Sequence, residues 1–148
     1  MKNKSEPGSP LNDVGLEVIQ DKQIVYGIIV RASFTEDGIR FFTPSEYSQQ
    51  LGYMRRNKGY TIAAHYHNPV IRKVTYTQEV LFVKSGMIKV IFYDSYNKPF
   101  TEKILRERDT ILLAGGGHSF EFLEQSEVIE VKQGPYTEDL DKTHFDAK

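Results

Sequence analysis

The sequence predicts an all-β domain, and three observations carry that prediction. From Gly59 onward, short runs rich in Val, Ile, Phe and Tyr follow one another, separated by turn dipeptides. No rhythm of strand, long helix and strand interrupts them, so a sandwich or closed barrel is expected rather than βαβ units. The chain has 148 residues, 39% hydrophobic and 26% charged, enough to bury a single core without staples.

The elements are read in order. Residues 1–15 are polar, with Pro7, Gly8 and Pro10, and are expected to form a flexible leader. Ile24–Val30 (IVYGIIV) is the first strand candidate, apolar on alternate and intervening positions alike, so burial on both faces is expected. A second, shorter strand candidate covers 39–42. Thr43-Pro44-Ser45-Glu46 then gives the one helix start: a capping threonine, proline at the first helical position, and glutamate completing a capping box. Gly52 is its natural stop. The remaining strand candidates are 60–66, 73–76, 80–84, Met87–Tyr93, 100–105, Thr110–Leu113, 118–123 and 128–132. Turn signals separate them at Asn68-Pro69, Ser85-Gly86, Asn97-Lys98-Pro99, the three glycines 115–117 and Gln133-Gly134-Pro135. Residues 16–135 make the expected domain, and 136–148 a polar C-terminal tail.

Composition also narrows function. Nineteen Lys and Arg nearly cancel twenty Asp and Glu, so no field of one sign points to nucleic acid or an anionic membrane. No apolar run is long enough to span a bilayer or to follow the first lysines as a secretory signal, so a cytoplasmic location is the default expectation. The absence of cysteine excludes disulfides, thiolate metal sites and a cysteine nucleophile.

Three of the four histidines stand where strand geometry can use them. Side chains at i and i+2 of a strand share a face, so His65 and His67 in YTIAAHYHNP project together. His118 opens HSFEF and shares a face with Phe120 and Phe122, inward by alternation. Glu79 opens EVLFVKSG and shares a face with Leu81 and Val83. A lone carboxylate directed that way is costly, and a cation would neutralise it. Taken singly, each has an ordinary explanation: a surface pair, a solvated strand-edge carboxylate, a turn histidine. Their joint spacing is what suggests a site. His144 lies in the polar tail and reads as a surface residue.

That spacing resembles the two motifs of the cupin superfamily. Gly59 is followed after five residues by His65 and His67, and Glu79 is followed after six by Gly86, as in the first motif. The run DTILLAGGGHSFEF is similar to the second, with Asp109 where the family has glycine and Gly115 where it has proline. Two departures stand out. Eleven residues separate His67 from Glu79 where the family has a short spacer, and His118 follows Gly117 two positions early. The early histidine suggests a tight turn in which the glycines let backbone pass close to a metal.

The resemblance implies a cupin-type double-stranded β-helix, a jelly-roll barrel with one short helix, and one divalent transition metal on His65, His67, Glu79 and His118. Such nitrogen and oxygen ligands suit Fe, Mn, Ni, Co or Zn without choosing among them. It also implies a small-molecule ligand and a homodimer. Arg55, with Arg56 and Lys58 beside it, and the pair Arg72 and Lys73 are candidates to bind a phosphate or carboxylate on a substrate. Tyr76 is the candidate for proton transfer. The expected activity is that of a metal-dependent enzyme on a small oxygen-rich substrate such as a sugar or nucleotide sugar, of isomerase or epimerase type. A metal-dependent dioxygenase and a non-catalytic small-molecule-binding barrel are the alternatives, because cupins host many chemistries.

Overall fold

Ten β-strands carry the regular structure in a computed structural model of the chain, which describes residues 13–137 and 140–148. They are β1 (Leu16–Asp21), β2 (Ile24–Val30), β3 (Gly38–Phe41), β4 (Gly52–Arg55), β5 (Glu79–Ser85), β6 (Met87–Tyr93), β7 (Pro99–Arg106), β8 (Thr110–Leu113), β9 (Gly117–Phe122) and β10 (Glu127–Lys132). The all-β prediction is met. Most of the expected leader, residues 1–12, lies outside the described residues.

The strands form three antiparallel sheets. The largest has the order β1-β2-β8-β5-β10, the second β7-β6-β9, and β3 pairs with β4 alone. Alternation explains how the two larger sheets meet. Ile29, Leu81, Val83, Ile111 and Leu113 of the five-stranded sheet are buried against Ile88, Val90, Phe92 and Leu105 of the three-stranded one, in one core cluster. Each fully buried aliphatic side chain there contributes about 1.5–3 kcal/mol. Ile28 and Leu112, one residue out of phase, face the other way. They pack with Leu16, Phe34 and Phe42 beneath the β3–β4 hairpin. β2 and β8 are therefore buried on both faces, as the continuous apolar run of β2 predicts.

Three expectations are corrected. The sheets do not close into a barrel: β1 and β10 end one sheet and β7 and β9 the other. No α-helix follows Thr43. The Thr43 hydroxyl donates to Gln50 Oε1 at 2.9 Å and accepts from the Leu51 amide at 3.2 Å, so it is not free to cap. The Gln50 side-chain amide donates to the carbonyls of Pro44 and Tyr47 at 2.9 and 3.0 Å, supplying a donor that helical amides would otherwise provide. The turn turns Tyr47 and Leu51 toward the apolar cluster under the hairpin. Finally, the expected strands at 60–66 and 73–76 are absent, and every residue from 54 to 76 is exposed. Strand propensity needs a neighbouring strand to act on, and among the described residues these segments have none.

Candidate metal centre

Two of the four expected ligands converge where the larger sheets come together. Glu79 opens β5 and is opposite Leu113 on β8 and Lys132 on β10, on the same inward face as Leu81 and Val83. His118, the second residue of β9, is opposite the fully buried Phe92. Directly opposed residues share a face, so His118 also points between the sheets. Its Nε2 lies 3.4 Å from Glu79 Oε2.

That distance matters for a metal. Two donors each about 2.1 Å from one ion, at angles between octahedral and tetrahedral, stand about 3.0–3.4 Å apart. The pair therefore fits the bite of a single cation. Contact with His118 holds the Glu79 carboxyl below its ordinary value against the upward push of burial, and the charges of His118, Lys132 and Lys142 act in the same direction. Lys132 Nζ lies 3.9 Å from the other carboxylate oxygen.

A cavity of about 430 Å³ opens beside this pair. Its walls come from Glu79, His118 and Ser119, the glycine run, Tyr76 and Thr77 on the approach to β5, Tyr93 at the end of β6, and the C-terminal tail. Gln78 fixes the approach. It is buried, its amide donates to Gln133 Oε1 at 2.7 Å and its side chain to the Ala114 carbonyl at 3.4 Å. The Tyr93 hydroxyl and Ser119 Oγ are hydrogen-bonded at 2.8 Å. The glycine run serves packing: a Cβ on Gly116, at φ +71°, would lie 2.1 Å from the Tyr26 ring.

The tail was not legible as part of a site. Phe145 packs edge-on against Tyr93 with ring centroids 5.3 Å apart, Thr77 donates to the Asp141 carboxylate, and His144 lines the cavity wall. Phe145, in a stretch that is polar from 141 to 144, is a signal of docking.

His65 and His67 stand side by side, ring centroids 5.4 Å apart, but on the exposed segment between β4 and β5. Among the described residues no group of three or more His, Asp or Glu is placed to hold one ion. A single chain thus assembles Glu79 with His118, and His65 with His67, as two separate pairs. Tyr76 reaches the cavity rim. Arg55 donates to Thr35 Oγ1 at 3.2 Å and pairs with Asp37 at 3.4 Å, steadying the β3–β4 hairpin. Arg72 and Lys73 are exposed on the same segment as the histidines. None of the three basic residues lines the cavity. Compared with protein-family models, with curated proteins and with solved structures, the chain gives no match in any of the three.

Proposed function

We propose that the chain is a metal-binding cupin, holding one divalent transition ion on His65, His67, Glu79 and His118 and acting on a small oxygen-rich substrate such as a sugar or nucleotide sugar. The observation that carries this reading is the 3.4 Å approach of Glu79 and His118 from facing sheets at the wall of a 430 Å³ cavity. The path of the chain supports a jelly roll: β5, β8 and β10 lie in one sheet and β6, β7 and β9 in the other.

When bound, such an ion supplies a Lewis acid to a substrate carbonyl or hydroxyl. The chain's own groups do the rest. Glu79 and His118 would hold the ion, and Phe120, packed against the His118 ring at 5.4 Å, keeps its inner side apolar. The cavity volume falls within the range of small-molecule pockets. Tyr76, which lines the rim, would exchange a proton with a substrate hydroxyl.

The test is titration of Co(II) into chelator-treated protein. Binding near one ion per chain is expected, weakened by at least about 100-fold in Glu79→Gln and in His118→Ala, since ligand loss exceeds the 10–100-fold cost of losing an outer partner. No binding by the wild type refutes the reading. Consumption of dioxygen by the iron-loaded protein in the presence of substrate would favour the dioxygenase.

A further inference from the structure

The segment between β4 and β5 has the sequence of a strand and the surroundings of none. From residue 54 to 76 every side chain is exposed, yet Tyr60, Ile62, Tyr66, Val70, Ile71 and Val74 are among them, Ile71 fully so. Loops that belong in water are built from Gly, Pro, Asn, Asp and Ser. Within residues 56–77 the described backbone makes one backbone–backbone hydrogen bond, Tyr60 N–H to the Asn57 carbonyl at 3.2 Å, and the Ala63 carbonyl lies 2.9 Å from His65 Nδ1. Most of its peptide groups are left to water, although β-branched and aromatic residues alternate with His65 and His67.

The sheets present the complementary defect. β9 is bonded only to β6, and β10 only to β5, so both leave one edge open among the described residues. Both edges carry charged residues, Glu121 on β9 and Glu127, Glu130 and Lys132 on β10, and Phe145 of the tail lies against Gly117 at the start of β9, but exposed apolar side chains remain. Phe122 and Leu123 are exposed at the end of β9, and Ile129 and Val131 on β10. β9 is also the strand that carries His118. The chain's own segment, beginning from the hairpin on the outer face of the five-stranded sheet, leaves the β9 edge unused.

We infer that residues 59–76 are an exchanged arm: they add as a strand to the β9 edge of a second copy of this chain, and each metal site is completed in trans. Added to that edge, Thr61, Ala63, His65 and His67 take the inward face beside His118 and Phe120, and small residues leave the histidines room at the cavity. The pairs Glu79–His118 and His65–His67, separate within one chain, become one set of four between two. Exchange by a two-fold axis gives two such sites per dimer. For its metal chemistry the inference rests on the reading above; the exchange itself rests on the unpaired arm and the open edge.

Two variants decide it. His65→Ala/His67→Ala keeps the body pair, and Glu79→Gln/His118→Ala keeps the arm pair. Each alone is expected to bind no Co(II). Co-expressed with different tags and purified through both, the mixed dimer contains one complete set and is expected to bind about one Co(II), half the wild-type dimer's content. A mixed dimer without Co(II), beside a wild type that binds it, overturns exchange and assigns the four ligands to one chain. Should the wild type bind no metal, the metal reading falls and exchange is read separately. A photo-cross-linking residue at position 66, in mixed isotope-labelled and unlabelled chains, is expected to join different chains at β9. Cross-links confined to single chains, or a monomer by light scattering, overturn the arm exchange.

Discussion

Asp109→Ala is expected to cost about 3 kcal/mol of folding stability. Asp109 is 4% exposed and lies at the turn before β8. Its carboxylate accepts from Arg31 Nη1 at 2.8 Å, the Ala32 amide at 2.9 Å and the Arg106 amide at 3.0 Å. It thereby ties the end of β2 to the β7–β8 turn. Truncation leaves two amides without acceptors, at about 1–3 kcal/mol each when dry. Breaking a buried ion pair costs about 3–5 kcal/mol where the surviving charge is stranded. Arg31 is not stranded, because it keeps Glu17 at 2.6 Å and the Ile104 carbonyl at 2.6 Å. The lower end of the range therefore applies. Against a total of about 5–15 kcal/mol this is a large fraction. Urea unfolding is the assay, with a midpoint shift of about 1.5 M for a slope near 2 kcal/mol/M. A loss under about 1 kcal/mol at unchanged slope would mean the carboxylate is not the tie described.

Other outcomes follow from the same contacts. Gly116→Ala combines a positive φ with a Cβ 2.1 Å from the buried Tyr26 ring; a loss of at least about 2 kcal/mol is expected in thermal melts, and a change under about 0.5 refutes the packing. Burial raises the Glu17 pKa, but hydrogen bonds and charges from Arg31 and Lys103 outweigh it and set it below its ordinary 4.5. A lowered carboxyl pKa stabilises above the unfolded value and loses that contribution as pH falls through the folded one. The stability gap between wild type and Glu17→Gln should thus shrink below pH 4.5, and a gap constant down to acid unfolding would contradict it. Phe145→Ala frees the tail from Tyr93; exchange of the Lys148 amide, which donates to the Asn97 carbonyl at 3.0 Å, should quicken at least about tenfold while β6 stays protected. Unchanged exchange there would show that the tail is held by something else.

Where residues report their own surroundings, the sequence was readable. Alternation in EVLFVKSG and HSFEF assigned Glu79 and His118 to inward faces, and the structure brings those two together. Thr110–Leu113 and Met87–Tyr93 coincide with β8 and β6 because their apolar runs are bounded by turn residues on both sides. The failures share another cause. Thr43-Pro44-Ser45-Glu46 satisfies a helix start locally, but Gln50 and the apolar cluster beneath the hairpin decide the outcome through tertiary contacts. β1 was missed because LEVIQD mixes charge with apolar residues, and its pairing with β2 is a two-strand property. Residues 60–66 look like a strand because they have strand chemistry; whether a strand forms depends on a neighbour, and none pairs with them among the described residues. Asp109, a departure from the motif in the sequence, is in the structure a tie between two turns.

The most direct test is elemental analysis of the purified protein beside His65→Ala and Glu79→Ala. About one equivalent of a transition metal per chain, lost in both variants, is the predicted result, because each removes one of four required ligands. No metal in protein kept from chelators, or the same content in all three, would contradict a site built from Glu79, His118 and the two arm histidines.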